Sequence, residues 1–383
     1  MQIELPISKS IANRLLILQA IHGDGLAGSP TALASWGALM TVSACGVPDD
    51  ARIVGCFDLP EDVQILHRAL TTLHHSTQRY TTLNLSNCGT AMRFLTAYAA
   101  QLENKVTVLD GVERMRHRPI GQLVDALREI GADIEYLGEE GFPPLRIKGC
   151  ILDKHRIVTL DNPQSTQFVS ALLLIGANVQ TNSTSPYITL TREIIDQYPI
   201  AHRASNSPHG GRPIAAQAAS SLEKDWSSAA FWYEYVALHG GKITLPGIYR
   251  NSLQGDKVVA DIFAHLGVTT QYTEEGIHIC RSQAILNSKF LIQNFSACPD
   301  LYPAVALTCE RLGIELHATG VESLPLKESD RLRAVREHRT DHDHRMAMAL
   351  LIAGYEVDDT ACISKSYPQF IEHFRRINTL KLQ

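Results

Sequence analysis

The sequence predicts an α+β protein built from a repeated unit, and three observations support this class. A polar loop leading into an apolar helix occurs six times, starting near residues 8, 86, 164, 225, 298 and 343. Amphipathic segments such as RPIGQLVDALREIG separate these helices, and two of them run into strand–turn–strand patterns, ADIEYLGEEGFPPLRIKG and VTTQYTEEGIHICRS. The repeating order is strand, buried helix, strand, exposed helix and hairpin. It predicts two pseudo-symmetric halves of three units each.

The six helices are predicted to be buried, because they are apolar on nearly every side. SNCGTAMRFLTAYAA and DWSSAAFWYEYVALHGG are examples. Each begins with a candidate N-cap residue, and several of the six end in glycine, as helices commonly do. A solenoid fits less well, since buried helices need cover on every side.

Three segments depart from the repeat. Residues 27–60 are rich in loop-forming residues, and residues 198–222 are polar and rich in glycine and proline where a hairpin is due. Residues 337–342 form a short connection, because the fifth and sixth helix starts are 45 residues apart against 61 to 78 elsewhere. A helix end and a hairpin are therefore expected to be missing there, which leaves one or two units incomplete.

Composition limits the class of function. The 383 residues are 45% hydrophobic and 20% charged, which is typical of a soluble protein large enough for two domains. A net charge of −5 argues against nucleic-acid or membrane-surface binding by bulk electrostatics. Neither a signal peptide nor an apolar run of membrane-spanning length is readable. The eight cysteines are scattered without a C-x-x-C pair, which indicates reduced thiols and a cytoplasmic location.

The segment Lys327-Glu328-Ser329-Asp330-Arg331 concentrates chemistry at one predicted helix start. A helix N-terminus attracts anions through its free N–H groups and its dipole. Lys327 and Arg331 strengthen that attraction, and Glu328 can transfer a proton. The alternative is a charged helix start on a solvated face.

Comparable polar groups recur at the other helix starts. Ser10 and Arg14 lie on one helix face, and Gly89 permits close backbone approach beside Asn87. Phosphate binding is the functional interpretation, and capped helices with solvated bases are the alternative. Asp300 can complement a helix dipole or accept a proton. The other candidates lie at helix starts or in adjoining loops, and they are Lys9, Arg118, Ser165, Thr166, Gln167, His344, Arg345 and Lys365.

The run His338, Asp341, His342, Asp343 and His344 contains residue types that bind metals. Its spacing lacks the separated ligand pairs of structural zinc, so no metal is expected. The sequence also lacks a Walker A loop and the G-x-G-x-x-G, G-x-S-x-G and H-E-x-x-H motifs.

Ten stretches, taken in order, resemble the 5-enolpyruvylshikimate-3-phosphate synthase family of enolpyruvyl transferases. They are SKSIANR, NCGTAMRFL, RMRHRPIGQLVDALREIGA, STQFVSALL, DWSSAAFW, NSLQGD, PDLYPAVA, LKESDRL, DHRMAMAL and SKSYP. SKSIANR with RPIG is similar to the glyphosate-sensitive subgroup. The resemblance implies an inside-out α/β barrel-like fold of two domains, each with three βαβαββ units. Residues 8–222 would form one domain and residues 1–7 with 223–383 the other, with the active site in the cleft between them.

The resemblance also implies a reaction. The family transfers the enolpyruvyl group of phosphoenolpyruvate to the 5-hydroxyl of shikimate 3-phosphate and releases phosphate, a step towards chorismate and the aromatic amino acids. It implies no metal or organic cofactor. The expected partners are these two small molecules, without nucleic acid or membrane, and the expected state is a cytoplasmic monomer.

Residue roles follow from the same resemblance. Asp300 is expected to take the hydroxyl proton and Glu328 to protonate the methylene carbon, with Lys9 and Lys327 assisting. The residues expected to bind phosphoenolpyruvate are Lys9, Asn87, Gly89, Arg118, Gln167, Arg331, His344, Arg345 and Lys365. Those expected to bind shikimate 3-phosphate are Lys9, Ser10, Arg14, Ser165, Thr166, Gln167, Thr184, Asp300, Ser323 and Lys327. Asp330 receives no chemical role and is expected to cap the helix or orient its neighbours.

Some positions depart from the family pattern. Thr184 and Ser185 replace the usual Ser and Lys, Ser323 replaces a common Asn, and Cys88 and Phe94 replace Ala and Pro. Two alternative functions remain. UDP-N-acetylglucosamine enolpyruvyl transferase shares the fold and the donor, but SKSIANR and the LKESDRL–DHRMAM combination favour the shikimate enzyme. A non-catalytic relative that binds phosphorylated ligands is opposed by the retained catalytic set.

Overall fold

The structure is a computed structural model that describes residues 1–22, 59–205, 223–282 and 289–381. The chain divides into two compact units. Unit 1 comprises Met1–Lys9, Asp58–Glu61 and Leu222–Gln383, and unit 2 comprises Ser10–Phe57 and Asp62–Ser221. The first residues of the chain therefore fold with its second half.

Unit 2 contains a four-stranded sheet with the strand order β1-β2-β4-β3. β1 and β2 are parallel, whereas β4 is antiparallel to both β2 and β3. Parallel neighbours need a crossover connection, which a buried helix supplies here, and the predicted hairpin of β3 and β4 is confirmed. The elements are α1 (Lys9–His22), α2 (Glu61–His75), β1 (Tyr80–Asn84), α3 (Gly89–Ala100), β2 (Val106–Asp110), α4 (Glu113–Arg116), α5 (Gly121–Glu129), β3 (Asp133–Tyr136) and β4 (Leu145–Lys148).

The remaining elements of unit 2 are β5 (Ile157–Thr159), α6 (Thr166–Leu174), β6 (Asn178–Gln180) and α7 (Pro186–Ser205). β5 and β6 form a parallel pair. Because α7 reaches Ser205, the predicted irregular loop at 198–222 is wrong for residues 198–205. A tertiary contact helps to explain the longer helix, since the Tyr198 and His22 rings lie 5.2 Å apart. Residues 206–222, and residues 27–58 of the other irregular segment, lie outside the described residues.

The first sheet of unit 1 has the same order once the N-terminus is included. Its elements are α8 (Trp226–His239), β7 (Lys242–Pro246), α9 (Val259–Ala264), β8 (Val268–Tyr272) and β9 (Gly276–Arg281). The sheet order is β7-β9-β8, and the second predicted hairpin, β8 with β9, is confirmed. Gln2 pairs in parallel with Thr244 of β7, so the N-terminal segment occupies the place that β1 takes beside β2.

The rest of unit 1 contains β10 (Phe290–Asn294), α10 (Tyr302–Leu312), β11 (Glu315–Thr319), α11 (Arg331–Glu337), α12 (His344–Ala353) and α13 (Phe370–Lys381). β10 and β11 are a parallel pair. α11 ends at Glu337, and His338 follows with a left-handed φ of 51°. The connection to α12, residues 338–343, is a turn without a strand, so it is as short as the sequence predicts.

The predicted burial of the apolar helices is confirmed. In α8, every side chain from Trp226 to Ala237 is buried, and the same holds for most of α3 and α12. Glu234 lies within this apolar stretch of α8, and neither of its carboxylate oxygens has a hydrogen-bond partner among the described residues. Burial raises the pKa of Glu234 well above its ordinary value, so this side chain is a neutral acid. No helix in the described ranges is long and apolar enough to cross a membrane.

Asp330 supplies a test of helix capping. Its carboxylate accepts a hydrogen bond from the backbone N–H of Arg333 at 3.2 Å, which caps the start of α11. We expect Asp330→Ala to lower the free energy of unfolding by about 1 kcal/mol, and Asp330→Asn to retain most of the stability because Asn accepts the same bond. Urea unfolding of the three proteins measures this, and an unchanged alanine variant would contradict it.

Candidate active site

Asp300 lies in a 3-10 turn, Pro299–Leu301, that leads into α10. Its Oδ1 accepts a hydrogen bond from Arg331 Nη1 at 2.8 Å and lies 3.6 Å from Lys327 Nζ. Its Oδ2 lies 2.9 Å from Arg345 Nη2. Burial alone would raise the pKa of Asp300, but Arg345, Lys327 and Arg331 hold it well below the ordinary range. Asp300 is therefore an ionised carboxylate surrounded by cations.

Arg331 joins Asp300 to a second carboxylate, Asp343, which is fully buried. Arg331 Nε donates to Asp343 Oδ2 at 2.8 Å, and Arg331 is only 2% exposed. Ser329 Oγ also donates to Asp343, at 3.2 Å. Asp343 accepts a further hydrogen bond from the backbone N–H of Arg345 at 2.9 Å, which caps α12. One carboxylate thus places both Arg331 and the start of α12; the sequence predicts a helix start with a cap at residue 343 but not the pairing of Asp343 with Arg331.

Glu328 forms a second charged cluster in unit 1. Its Oε2 lies 2.8 Å from His344 Nδ1, and its Oε1 lies 3.0 Å from Lys365 Nζ. Burial would raise the pKa of Glu328, but His344, Lys365 and Lys9 hold it well below the ordinary value. Burial lowers the pKa of His344, with Lys9 and Arg345 adding to this effect. Lys9 therefore acts electrostatically on both Glu328 and His344.

Part of the histidine-rich run approaches Glu328. One ligand atom each from Glu328, Asp343 and His344 lie within 4.8 Å of one another. His342 instead pairs with Asp359 at 2.6 Å. Both carboxylates of the triplet already have cationic partners, Lys365 for Glu328 and Arg331 for Asp343, so their charge is balanced without a metal ion.

Gly89 and Arg118 form the corresponding contact in unit 2. A Cβ atom on Gly89 would lie 2.6 Å from both terminal nitrogens of Arg118, so glycine allows the guanidinium to rest against the backbone. Gly89 is the first residue of α3, where free N–H groups and the dipole favour anions. Arg118 Nη1 also donates to the carbonyl of Asn87 at 3.4 Å. These three predicted residues are therefore together at one helix start.

Gln167 connects this helix start to α6. Its Nε2 donates to Thr90 Oγ1 at 2.9 Å, and its Oε1 accepts from Arg93 Nη1 at 2.8 Å. Arg93 is 7% exposed and has no carboxylate partner in the described part of unit 2. Burial and the charge of Arg118 lower the pKa of Arg93. Arg93 and Arg118 are both buried, and Arg93 has no carboxylate partner among the described residues of unit 2. This excess of positive charge favours an anionic ligand. Arg93 was not predicted as a site residue, although it lies within the NCGTAMRFL stretch.

Arg14 is held inside unit 2. Its guanidinium donates to Thr191 Oγ1 at 2.7 Å, to the Ser10 carbonyl at 2.7 Å, to Ser170 Oγ at 3.1 Å and to the Tyr187 carbonyl at 3.3 Å. Burial lowers its pKa to about 10. In this structure Arg14 therefore fastens α1 to α6 and α7.

The other predicted residues lie at helix starts or in loops. Ser165 caps α6 by accepting from the backbone N–H of Gln167 at 3.3 Å, and Thr166 follows it. Thr184 is exposed before α7, and Ser323 is half-buried before a 3-10 turn, Leu324–Leu326. The structure brings the predicted residues into two sets. The unit 1 set is Lys9, Asp300, Lys327, Glu328, Arg331, His344, Arg345 and Lys365, and the unit 2 set is Asn87, Gly89, Arg118, Ser165, Thr166 and Gln167.

Comparisons with known proteins agree with these observations. The sequence profile of the family described as EPSP synthase (3-phosphoshikimate 1-carboxyvinyltransferase) matches residues 59–339 and 335–374. A Bacteroides fragilis protein named 3-phosphoshikimate 1-carboxyvinyltransferase is 34% identical over 427 aligned residues, covering 98% of this chain and 94% of that protein. A protein of the same name from Colwellia psychrerythraea is 28% identical, covering 98% of this chain and 96% of its own.

Solved structures show the same fold. An EPSP synthase from Acinetobacter baumannii superposes with a TM-score of 0.59 at 21% sequence identity, covering 98% of this chain and 95% of that chain. The family profile and the near-full-length relatives define the protein as an enolpyruvyl (carboxyvinyl) transferase. Within that class, the chain belongs to the EPSP synthase family.

Gly89→Ala tests the contact with Arg118. The added Cβ would displace the guanidinium, whose terminal nitrogens are 2.6 Å from its position. Losing a charged hydrogen bond of about 1.5–3 kcal/mol weakens binding by roughly 10- to 100-fold. We therefore expect the dissociation constant for phosphoenolpyruvate to rise by that factor in calorimetry. Gly121→Ala is the matched control, because its Cβ would meet its nearest neighbour at an ordinary 3.4 Å. Equal affinity in Gly89→Ala would contradict the interpretation.

Asp343→Asn tests the buried pair with Arg331. Breaking a buried ion pair costs about 3 kcal/mol or more, and here the buried Arg331 charge would be left with Asp300 as its remaining carboxylate partner among the described residues. Burial raises the pKa of Asp343, but Arg331 more than offsets this effect and keeps the pKa in the folded protein below its ordinary 3.8. The ionised Asp343 therefore stabilises the folded protein above pH 3.8, and this stabilisation is lost as the pH falls through the folded pKa.

The difference in unfolding free energy between wild type and Asp343→Asn should therefore be large at pH 7 and shrink below about pH 4. Asp133→Asn is the control, because Asp133 is 62% exposed and 3.5 Å from Lys148. Such a surface pair contributes about 1 kcal/mol or less. A difference that stays constant down to acid pH would contradict the assignment.

Proposed function

We propose that this chain transfers the enolpyruvyl group of phosphoenolpyruvate to the 5-hydroxyl of shikimate 3-phosphate and releases phosphate. Membership of the EPSP synthase family is the basis for proposing this reaction. The structural observation that supports it best is Asp300, a partly buried ionised carboxylate with Arg331, Arg345 and Lys327 within 3.6 Å of its oxygens. Cations at helix starts suit two anionic substrates, and the carboxylate among them is the group that can accept the hydroxyl proton.

Ligand binding would adjust Asp300 for this task. Its pKa is depressed without ligands, and a carboxylate with so low a pKa is a weak base. The phosphate and carboxylate groups of the substrates neutralise part of the field of Arg331, Arg345 and Lys327. The pKa of Asp300 then rises, and its basicity increases when the hydroxyl to be deprotonated is present.

Glu328 is proposed to deliver the proton to the methylene carbon. Since His344 and Lys365 hold it ionised, Glu328 must receive a proton before it can donate one. Lys365 Nζ lies 3.0 Å from Glu328 Oε1, and a substrate anion bound to Lys365 partly neutralises its charge, which raises the pKa of Glu328 and favours proton uptake by Glu328 from solvent. His344 and Lys365 therefore determine when Glu328 carries a proton.

The two sets of residues are proposed to serve different parts of one active site. The unit 2 set, with Gly89 and Arg118 at the start of α3, supplies binding for anionic groups. The unit 1 set supplies the proton transfers as well. The arrangement of residues 8–222 and of 1–7 with 223–383 as two barrel-like domains of three units around a cleft remains a proposal, as do the monomeric state and the cytoplasmic location.

Phosphate release provides the test. Purified protein should release phosphate from phosphoenolpyruvate only when shikimate 3-phosphate is present, and UDP-N-acetylglucosamine should not replace it. Release with the nucleotide sugar alone would favour the other enolpyruvyl transferase. Tight binding of both substrates without any release would favour the non-catalytic relative.

Glu328→Gln should lower kcat by about 10²–10⁴, the usual contribution of a general acid, and change substrate affinity much less. Steady-state kinetics and calorimetry of the same preparation separate the two effects. Glu322→Gln, an exposed residue a few positions earlier, is the control and should keep wild-type turnover. An unchanged kcat in Glu328→Gln would remove its proposed role.

A further inference from the structure

A buried amide lies directly behind the segment that carries Lys9. Gln254 is 3% exposed and belongs to the NSLQGD stretch, to which no role was assigned. Its Oε1 accepts hydrogen bonds from Ser8 Oγ at 2.8 Å and from the backbone N–H of Trp226 at 3.2 Å. Its Nε2 donates to the Lys224 carbonyl at 2.8 Å. One side chain thus connects the N-terminal segment to the start of α8.

Ser8 is fixed from a second direction as well. Its backbone N–H donates to the Glu223 carbonyl at 2.9 Å. The Glu223 carboxylate accepts from Ser252 Oγ at 2.9 Å, and Ser252 Oγ accepts from the backbone N–H of Gln254 at 3.0 Å. Ser8, Gln254, Ser252 and Glu223 therefore form a closed ring of hydrogen bonds within unit 1. A closed ring restricts Ser8 more than a single bond would, because no member can move without breaking a bond.

Ser8, a member of this ring, is directly followed by Lys9, a residue of the candidate active site. Lys9 is the last residue of the N-terminal segment in unit 1 and opens α1. Its ammonium acts on Asp300, Glu328 and His344. The four-carbon stem of a lysine has a fixed maximum reach, so the position of the Lys9 backbone limits which of these groups its ammonium can approach. A misplacement of about 1 Å can cost roughly 10²-fold in rate.

We propose that Gln254 is a positioning residue for Lys9 and that it acts through the Ser8 hydroxyl. The expected effect on turnover rests on the proposed function of Lys9. The expected effect on the position of the Lys9 ammonium does not depend on that function. The Gln254 side chain is bonded to Ser8, Trp226 and Lys224, so its effect on Lys9 is transmitted by the backbone of Ser8 and Lys9.

Ser8→Ala is the most selective test, because it removes one hydroxyl and leaves Gln254 bonded to Trp226 and Lys224. We expect kcat/KM for phosphate release to fall at least tenfold while the melting temperature changes little. Thr308→Val is the matched control, since it removes another buried hydroxyl of unit 1, one bonded to the Ala304 carbonyl at 2.7 Å. This control should retain wild-type kcat/KM.

The His344 titration reports the ammonium position without requiring turnover. Lys9 contributes to lowering the pKa of His344, so moving the ammonium away should raise it. The pKa of His344 can be followed in histidine NMR titrations, with its signal assigned by His344→Gln. In Ser8→Ala this pKa should move towards its value in Lys9→Met, and in Thr308→Val it should equal the wild-type value. An unshifted His344 in Ser8→Ala would overturn the proposal, even if the wild-type protein released no phosphate.

A double-mutant comparison excludes a merely structural role. If Ser8 acts only by placing Lys9, then Ser8→Ala combined with Lys9→Met should lower kcat/KM no further than Lys9→Met alone. Independent, multiplicative losses would overturn the proposal. Gln254→Leu should reproduce the His344 shift if it folds, and the outcome of the Ser8→Ala series decides the question if it does not.

Discussion

The charged groups of unit 1 depend on one buried guanidinium. Arg331 lies between Asp300 and Asp343, with hydrogen bonds of 2.8 Å to each. Through these two carboxylates it connects the turn before α10, the start of α11 and the cap of α12. Burying such charges is costly, and a buried ion pair adds little net stability compared with apolar packing. What the arrangement provides is a fixed geometry, because a buried charge that loses its partner is strongly penalised.

The two units use charge differently. In the charged clusters of unit 1, carboxylates and cations alternate, so Asp300 and Glu328 are held ionised beside groups that can exchange protons with them. In unit 2, Arg93 is buried without a carboxylate partner in the described residues, and Arg118 lies beside it. An anion binds where positive charge lacks a counterion, whereas proton transfer needs both signs together. Binding and proton chemistry are thus distributed over different helix starts.

Much of this architecture could be predicted from local sequence signals. The six buried helices follow from apolar residues on every side and from caps such as Asp225, Ser165 and Asp343. Both complete hairpins follow from alternating residues around glycine turns. The helical stretch 198–205 was missed because its composition favours a loop and the stabilising ring contact of Tyr198 comes from residue 22.

The site was predictable in its residue types but not in their pairings. Arg331 and Asp300 are 31 positions apart, and Ser8 and Gln254 are 246 positions apart, so no local pattern reveals either contact. The same limit explains why Arg93 and Gln254 received no role and why the pairing of Asp343 with Arg331 was not foreseen. A sequence pattern identifies a polar helix start, whereas only the fold shows which starts share a hydrogen bond.

The neutral carboxyl group inside α8 makes folding a proton-uptake reaction. Glu234 in the unfolded chain titrates near its ordinary pKa of 4.5, whereas burial raises its pKa well above that value in the folded form. Between these two pKa values the folded state binds one more proton than the unfolded state, so stability falls by about 1.4 kcal/mol for each unit of rising pH. Within that pH range, the heat of unfolding should consequently depend on the ionisation enthalpy of the buffer that receives this proton.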